Sequence, residues 1–231
     1  MNDIPVNPNN MVETSDSLEA VGVFRAWKSI FFVIVLICLA FIQAAFWAVD
    51  LRLIKTPGDV PPAPAADVVV APAPAGTAPA GPAEPAAEGF LGGLLGKFDF
   101  ELLARVTGVA NGILIVAGIL FALTVFFCLM VSLVGRLGGI NHISRAFILA
   151  LIMAALIIPW QRLFGSNVVG VAYGADELLR WFDAKGAGTS EKIFYYLRFC
   201  GLWLVVLLLL IMTQVRSVRW SKSIIRRLEI I

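Results

Sequence analysis

Charged residues are scarce in this chain. Asp, Glu, Lys and Arg make up 15% of its 231 residues, whereas hydrophobic residues make up 59%, and the mean hydropathy is +0.88. A soluble globular domain is about 25% charged and about 45–50% apolar. The composition therefore excludes an ordinary soluble domain. The net charge of +2 is too small to indicate a nucleic-acid partner.

Residues that ligate metals or form disulfides are also few. The chain has one histidine, His142, and three cysteines, Cys38, Cys128 and Cys200, each cysteine within an apolar stretch. A disulfide framework needs clustered cysteines in an oxidising aqueous loop, and a haem or metal site needs more ligands than one histidine. The motifs CxxC, HExxH, GxSxG and GxxxxGK[ST] do not occur. We therefore expect no cofactor, no metal site and no enzymatic activity.

The excess apolar residues lie in four long uncharged stretches. A helix rises about 1.5 Å per residue, so about 20 apolar residues cross a hydrocarbon core about 30 Å thick. The sequence predicts transmembrane helices over residues 29–49, 106–135, 146–161 and 199–215. The expected fold class is an all-α membrane protein with these four spans, short interfacial helices and a disordered Pro/Ala-rich extracytoplasmic loop.

The four stretches differ in length. We expect the third to begin earlier than residue 146, with His142 in the interface, and the fourth to include residues 193–197. Arg198 would then extend its side chain to the lipid headgroups. The second stretch is longer than a straight span needs, so it must tilt, bend near Gly108 or Gly112, or begin in the interface.

The distribution of Lys and Arg predicts the orientation of the spans. Residues 1–28, 136–145 and 216–231 together hold nine of the eighteen basic residues, and the longer loops 50–105 and 162–198 hold the other nine. The side with the higher density of basic residues is the cytoplasmic one. We therefore predict two cytoplasmic tails and a cytoplasmic turn, in a membrane that we expect to be a bacterial inner (plasma) membrane.

The first span resembles a secretory signal peptide in its position. Its apolar region is longer than the 7–15 residues that such peptides use, and Phe46 occupies the −3 position of the only plausible cleavage site, after Ala48. Cleavage requires a small residue there. The sequence therefore predicts an uncleaved signal anchor.

The two predicted extracytoplasmic loops differ in character. Residues 57–87 hold nine of the twelve prolines, which fix φ and lack a backbone donor, so this segment is predicted to be a disordered tether biased to polyproline II. It is either a featureless linker or an arm that docks a partner or the cell wall. The amphipathic segment 89–106 and the short helix predicted at 175–184 are expected to lie in the membrane interface.

Basic residues near the predicted cytoplasmic surface form a candidate binding site. Guanidinium, ammonium and imidazole groups can contact a lipid headgroup or another anion. The alternative is simple anchoring by positive charge. The residues predicted to make such contacts are Arg136, His142, Arg145, Arg216, Arg219, Lys222, Arg226 and Arg227.

Small residues recur at four-residue spacing in three of the four spans. Such spacing lets helix backbones approach closely, and a polar side chain in mid-span can add an interhelical hydrogen bond. Gln43 is the best candidate for that bond. The small residues predicted to pack helices are Ala40, Ala44, Ala48, Gly108, Gly112, Gly118, Ala122, Ala146, Ala150 and Ala154.

Three functions are compatible with these observations. The favoured one is a non-enzymatic scaffold, accessory or assembly subunit, which acts through helix contacts and its flexible arm and has membrane lipids and other membrane subunits, or further copies of itself, as partners. The first alternative is a component of a transporter or channel, although the cores of the predicted spans carry no ionisable residue to line an ion path. The second is a lipid-acting membrane enzyme centred on residues 136–145.

Overall fold

The computed structural model describes residues 8–54, 100–135, 140–165, 170–184 and 188–228. Within these ranges the regular secondary structure is entirely helical. The predicted Pro/Ala-rich tether, residues 89–99 of the amphipathic segment and Arg136 lie outside the described residues. The helices are α1 (Pro8–Asp50), α2 (Phe100–Val134), α3 (Ile140–Ile157), α4 (Trp160–Phe164), α5 (Ala175–Ala184), α6 (Thr189–Tyr196) and α7 (Leu202–Leu228), with a π-helical turn (Leu197–Gly201) joining α6 to α7.

Four helical segments are long and apolar enough to cross a membrane. They are Val21–Asp50 within α1, Phe100–Val134, Ile140–Ile157, and Thr189–Ile224, which comprises α6, the π-helical turn and most of α7. Continuous helices of this kind satisfy their own backbone hydrogen bonds, as hydrocarbon requires. The predicted all-α membrane protein with four spans is confirmed, and the short helix predicted at 175–184 is present as α5.

Helix boundaries differ from the uncharged stretches in the sequence for local reasons. α1 begins at Pro8, because proline fits the first helical position, where no backbone donor is needed. α3 begins at Ile140, earlier than residue 146 as expected, and ends at Ile157. The end precedes Pro159, which disfavours helical backbone at the residue before it. The fourth span begins at Thr189, so it includes residues 193–197 as expected.

The four spanning helices pack in a ring. α1 packs on α2, α2 on α3 and α3 on α7, and a smaller contact between α7 and α1 closes the ring. We call the end that holds Asp50, Phe100 and Ile157 the loop end, and the end that holds Val134 and Ile140 the tail end. Each helix presents to its neighbours a stripe of buried residues at alternating three- and four-residue steps. In α3 the stripe is Ile143, Ala146, Ala150, Met153 and Ile157, and in α7 it is Val206, Leu210, Thr213, Ser217, Trp220 and Ile224.

Aromatic side chains fill the core at the loop end. The rings of Phe46, Tyr195 and Phe199 lie with their centroids 5.3–5.4 Å apart, and Tyr173 meets Phe199 edge to face at 4.9 Å. Such pairs contribute about 0.5–1.5 kcal/mol each beyond the area they bury. This cluster joins α1, the π-helical turn and the segment between α4 and α5.

Gly170 tests the close packing of that segment on the end of α3. A Cβ on Gly170 would lie 1.8 Å from the carbonyl oxygen of Ile158, so the backbone has to shift to accept any side chain. We predict that Gly170→Ala lowers the free energy of unfolding by about 1–3 kcal/mol, measured by thermal unfolding in detergent with tryptophan fluorescence. Gly112→Ala is the control, since a Cβ there meets nothing within 4 Å and removing a helical glycine adds about 0.5–1 kcal/mol. Equal transition temperatures for the two variants would contradict the packing described.

Candidate functional site

A buried ion pair lies at the loop end of the bundle. Nη2 of Arg198, in the π-helical turn, donates to Oε1 of Glu177 in α5 at 2.9 Å. The two side chains are 5% and 14% exposed, and the guanidinium carbon lies 5.2 Å from the ring centroid of Phe199. Removing two charges from water costs several kcal/mol per ion unless they are paired closely. The pair therefore fixes α5 against the fourth span.

Gln161 in α4 orients the carboxylate of this pair. Its Nε2 donates to Oε2 of Glu177 at 3.1 Å and to the carbonyl oxygen of Ala172 at 2.6 Å. Its Oε1 accepts a hydrogen bond from the backbone N–H of Gly170 at 2.9 Å. One amide side chain thus holds the segment before α5 and places Glu177 opposite Arg198.

Tyr173 and Asn111 connect the same segment to α1 and α2. The hydroxyl of Tyr173 donates to the carbonyl oxygen of Ile42 at 2.8 Å, and Nδ2 of Asn111 donates to the carbonyl oxygen of Tyr173 at 2.7 Å. Burial raises the pKa of the Tyr173 phenol well above its usual value, although the nearby charge of Arg198 opposes the rise. The phenol therefore stays protonated and keeps its donor role.

The expectation that Arg198 extends to the headgroups is wrong. The residue is 6% exposed and paired inside the protein. The spacing in the sequence indicates this burial. Arg198 and Phe199 follow Tyr195 by three and four residues, which places all three on one helix face. That face is buried, and α5 supplies the carboxylate that makes burial of the guanidinium possible.

A second cation is buried towards the tail end. Nζ of Lys28 in α1 donates to Oγ of Ser217 in α7, and Lys28 is 3% exposed. Nearby, Nε1 of Trp220 donates to Oγ of Ser132 in α2 at 3.2 Å. Lys28 is the last residue of the predicted N-terminal tail 1–28, whereas in the structure it lies within α1. These two bonds join α7 to α1 and to α2.

The structure brings four of the eight predicted anion contacts together. One groove of about 220 Å³ is lined by His142 and Arg145 of α3 and by Met212, Val215, Arg216 and Arg219 of α7. We call it the basic groove. Lys222 is exposed on α7 but does not line the groove. The side chains of Arg226 and Arg227, like the whole of Arg136, lie outside the described residues.

The predicted packing residues divide into two groups. One group is used inside the bundle, and the other remains at the surface of the chain. The buried members are Ala48, Gly118, Ala122, Ala146 and Ala150, with Ala154 and Gln43 half-buried, while Ala40, Ala44, Gly108 and Gly112 are exposed. Gln43 makes an interhelical hydrogen bond, its Nε2 donating to Sγ of Cys200 at 3.3 Å.

Gly108 and Gly112 line a concave surface of α2 at the loop end. The cavity, of about 150 Å³, is also lined by Asn111, Ile115, Pro159, Ala172 and Tyr173. We call it the α2 groove. A Cβ on either glycine would meet nothing within 4 Å. Oδ1 of Asn111 is buried beside it and has no hydrogen-bond partner among the described residues.

The described residues offer binding surfaces of two kinds. The basic groove presents cationic donors, and the α2 groove presents small residues with one amide oxygen. Among the residues that the structure describes, no three His, Cys, Asp or Glu side chains gather into a group that could hold a metal. No family model, curated protein or solved structure matches the chain.

The buried ion pair predicts a non-additive mutant series. Glu177→Gln removes the carboxylate that is paired with Arg198, and breaking a buried pair on one side costs about 3–5 kcal/mol of stability. The double variant Glu177→Gln/Arg198→Met removes both charges and is expected to recover most of that loss. Thermal unfolding in detergent measures both. The matched control is Glu101→Gln. The side chains of Glu101 and its partner Arg105 are 70% and 74% exposed, so the loss of stability is expected to be below about 0.5 kcal/mol. Equal destabilisation of the single and double variants would refute a compensated pair.

Proposed function

We propose that this chain is a non-enzymatic multi-pass membrane protein that acts as a scaffold, accessory or assembly subunit. It does so by receiving a transmembrane helix of another subunit, or of a second copy, in the α2 groove. The observation that carries this proposal is the exposure of Gly108 and Gly112 where they line the α2 groove. The arm predicted at residues 57–87 would extend the reach of the subunit on the same side of the membrane.

The cost of glycine in a helix supports a role for these two positions. Each glycine weakens a helix by about 1 kcal/mol relative to alanine. Gly118 has an internal use, since a Cβ there would come within 2.9 Å of Cδ1 of Ile157. Gly108 and Gly112 have open space around them within the described residues, so the packing of that part of the chain does not require them to be glycine. A second helix lying close against α2 would require glycine at these two positions.

Association in lipid favours such a surface. Hydrocarbon chains are as apolar as leucine, so helices associate through close backbone approach and through interhelical hydrogen bonds. Gly108 and Gly112, one helical turn apart, provide the close approach.

The proposed location is a bacterial inner (plasma) membrane, with the tail end in the cytoplasm and the first span acting as a signal anchor. The density of Lys and Arg near the termini and the turn 136–145 supports this orientation. Arg145, Arg216 and Arg219, at the tail end, are part of that density. A reporter enzyme fused after Ile231 should be active only in its cytoplasmic form, and activity of an extracytoplasmic reporter there would reverse the orientation.

Filling the α2 groove should break the assembly without unfolding the chain. We predict that Gly112→Leu removes co-purifying membrane protein, or converts an oligomer to a monomer, in mild detergent, because the leucine side chain occupies the space of the partner helix. Its own thermal unfolding temperature should not fall, since nothing within 4 Å opposes a Cβ at this position. Size-exclusion chromatography with light scattering measures the mass of the particle.

Photo-crosslinking in intact membranes provides the control. A benzoylphenylalanine at Val109, which is 64% exposed beside Gly108 and Gly112 on α2, should form one discrete adduct, whereas the same group at Ile148, which is 53% exposed on α3, should form none. A chain that runs as a monomer in every detergent, with identical crosslinking at both positions, would refute the proposal.

A further inference from the structure

An apolar trough on α7 lies next to the basic groove. The trough is lined by Leu204, Leu207, Leu208, Ile211, Met212 and Val215, has a volume of about 340 Å³ and exposes no polar surface. Met212 and Val215 line both concavities. The two therefore form one continuous channel along α7, cationic towards the tail end and hydrocarbon towards the middle of the bundle.

Within the described residues, no carboxylate balances the positive charge of the basic groove. Arg145, Arg216 and Arg219 form no ion pair within the described part of the chain, and the sequences of α3 and α7 contain no Asp or Glu. Arg216 and Arg219 are three residues apart on one helix face, where like charges repel. Elsewhere in the chain, a buried cation has a partner of its own, as Arg198 has Glu177. An external anion in the groove would supply the missing partner.

We propose that this channel binds an anionic phospholipid. The headgroup phosphate is held by the guanidiniums of Arg145, Arg216 and Arg219, with a ring N–H of His142 as a further donor, and one acyl chain lies in the trough. Guanidinium groups suit phosphate because their donors match its oxygens in pairs. Basic pockets between transmembrane helices bind anionic lipid headgroups in this manner.

The length of the channel matches one leaflet. Arg216 and Leu204 are twelve residues apart in a continuous helix, which corresponds to about 18 Å at 1.5 Å per residue. Half of a hydrocarbon core about 30 Å thick is about 15 Å. A lipid whose phosphate lies at the guanidiniums thus has its acyl chain end near Leu204. A free phosphate ion would occupy the basic groove alone and leave the trough empty, so the trough favours the lipid.

The first test measures lipid retention by the full chain. Protein purified in a delipidating detergent is mixed with phosphatidylglycerol or cardiolipin and examined by native mass spectrometry, with phosphatidylcholine as the neutral lipid. We expect the anionic lipids to bind at least tenfold more tightly than phosphatidylcholine. Arg216→Gln/Arg219→Gln should weaken their binding about 30-fold, which is about 2 kcal/mol.

A matched variant separates a site from general attraction of a basic surface. Arg25→Gln/Lys222→Gln removes the same number of charges at the same end of the molecule, from exposed residues that do not line the groove. It should change the affinity less than threefold. Equal losses in the two double variants would overturn the proposal. Both variants change exposed or half-buried side chains, and unaltered thermal unfolding without added lipid verifies that they fold.

A second variant tests the acyl chain. Leu208→Trp fills the trough. It leaves the four polar side chains of the basic groove in place, because Leu208 lines the trough but not the basic groove. It should weaken binding of the full-length lipid about tenfold and leave any binding of inorganic phosphate unchanged. Should inorganic phosphate compete with the lipid at equal concentration, or should Leu208→Trp have no effect, the lipid is not the occupant. Because Leu208 and Arg216 lie on α7, their variants leave the α2 groove intact, and this proposal and the proposed function can fail independently.

Discussion

Hydrocarbon provides no partner for a backbone N–H or C=O group, and this constraint shapes the whole chain. Each spanning segment is a helix whose bonds close within itself. Where the backbone leaves helical geometry between α4 and α5, side chains and backbone groups of neighbouring elements meet it. Gln161 bonds Gly170 and Ala172, Asn111 bonds the carbonyl of Tyr173, and the N–H of Val171 donates to Leu156. These bonds satisfy backbone groups of residues 170–173, which lie buried among the spans.

The same solvent removes the usual reason for helices to associate, so the bundle depends on close approach and on polar links. Ala146 and Ala150 let α3 meet its neighbours, and both are fully buried. The hydrogen bonds from Gln43 to Cys200, from Trp220 to Ser132 and from Lys28 to Ser217 then join pairs of helices. Small residues at four-residue spacing recur on the outer surface of α2, at Gly108 and Gly112. This repetition supports the proposal that the α2 groove is an interface between two chains.

The sequence was sufficient for those features that depend on local hydropathy. The four spans, the early start of α3 and the short helix α5 all follow from runs of apolar residues and from their helical spacing. Charged residues are predicted less well: the expectation that Arg198 extends to the headgroups is wrong, and Lys28, the last residue of the predicted tail 1–28, is buried as well. Each is buried by a partner that the hydropathy of its own segment does not reveal. Glu177 lies 21 residues before Arg198, and Ser217 lies 189 residues after Lys28.

The basic groove also depends on contacts between distant segments that the sequence does not reveal. The sequence identified His142, Arg145, Arg216 and Arg219 as cations near one surface, but only the packing of α3 on α7 places them around a single cavity. They then differ from three other cations in what surrounds them. Arg198 is neutralised by a carboxylate, Lys28 donates to a hydroxyl, and Arg105 pairs with Glu101. The guanidiniums of the basic groove have neither carboxylate nor hydroxyl partner among the described residues. Positive charge that the described residues leave uncompensated beside a hydrocarbon trough is most stably balanced by a ligand that is itself anionic at one end and apolar at the other.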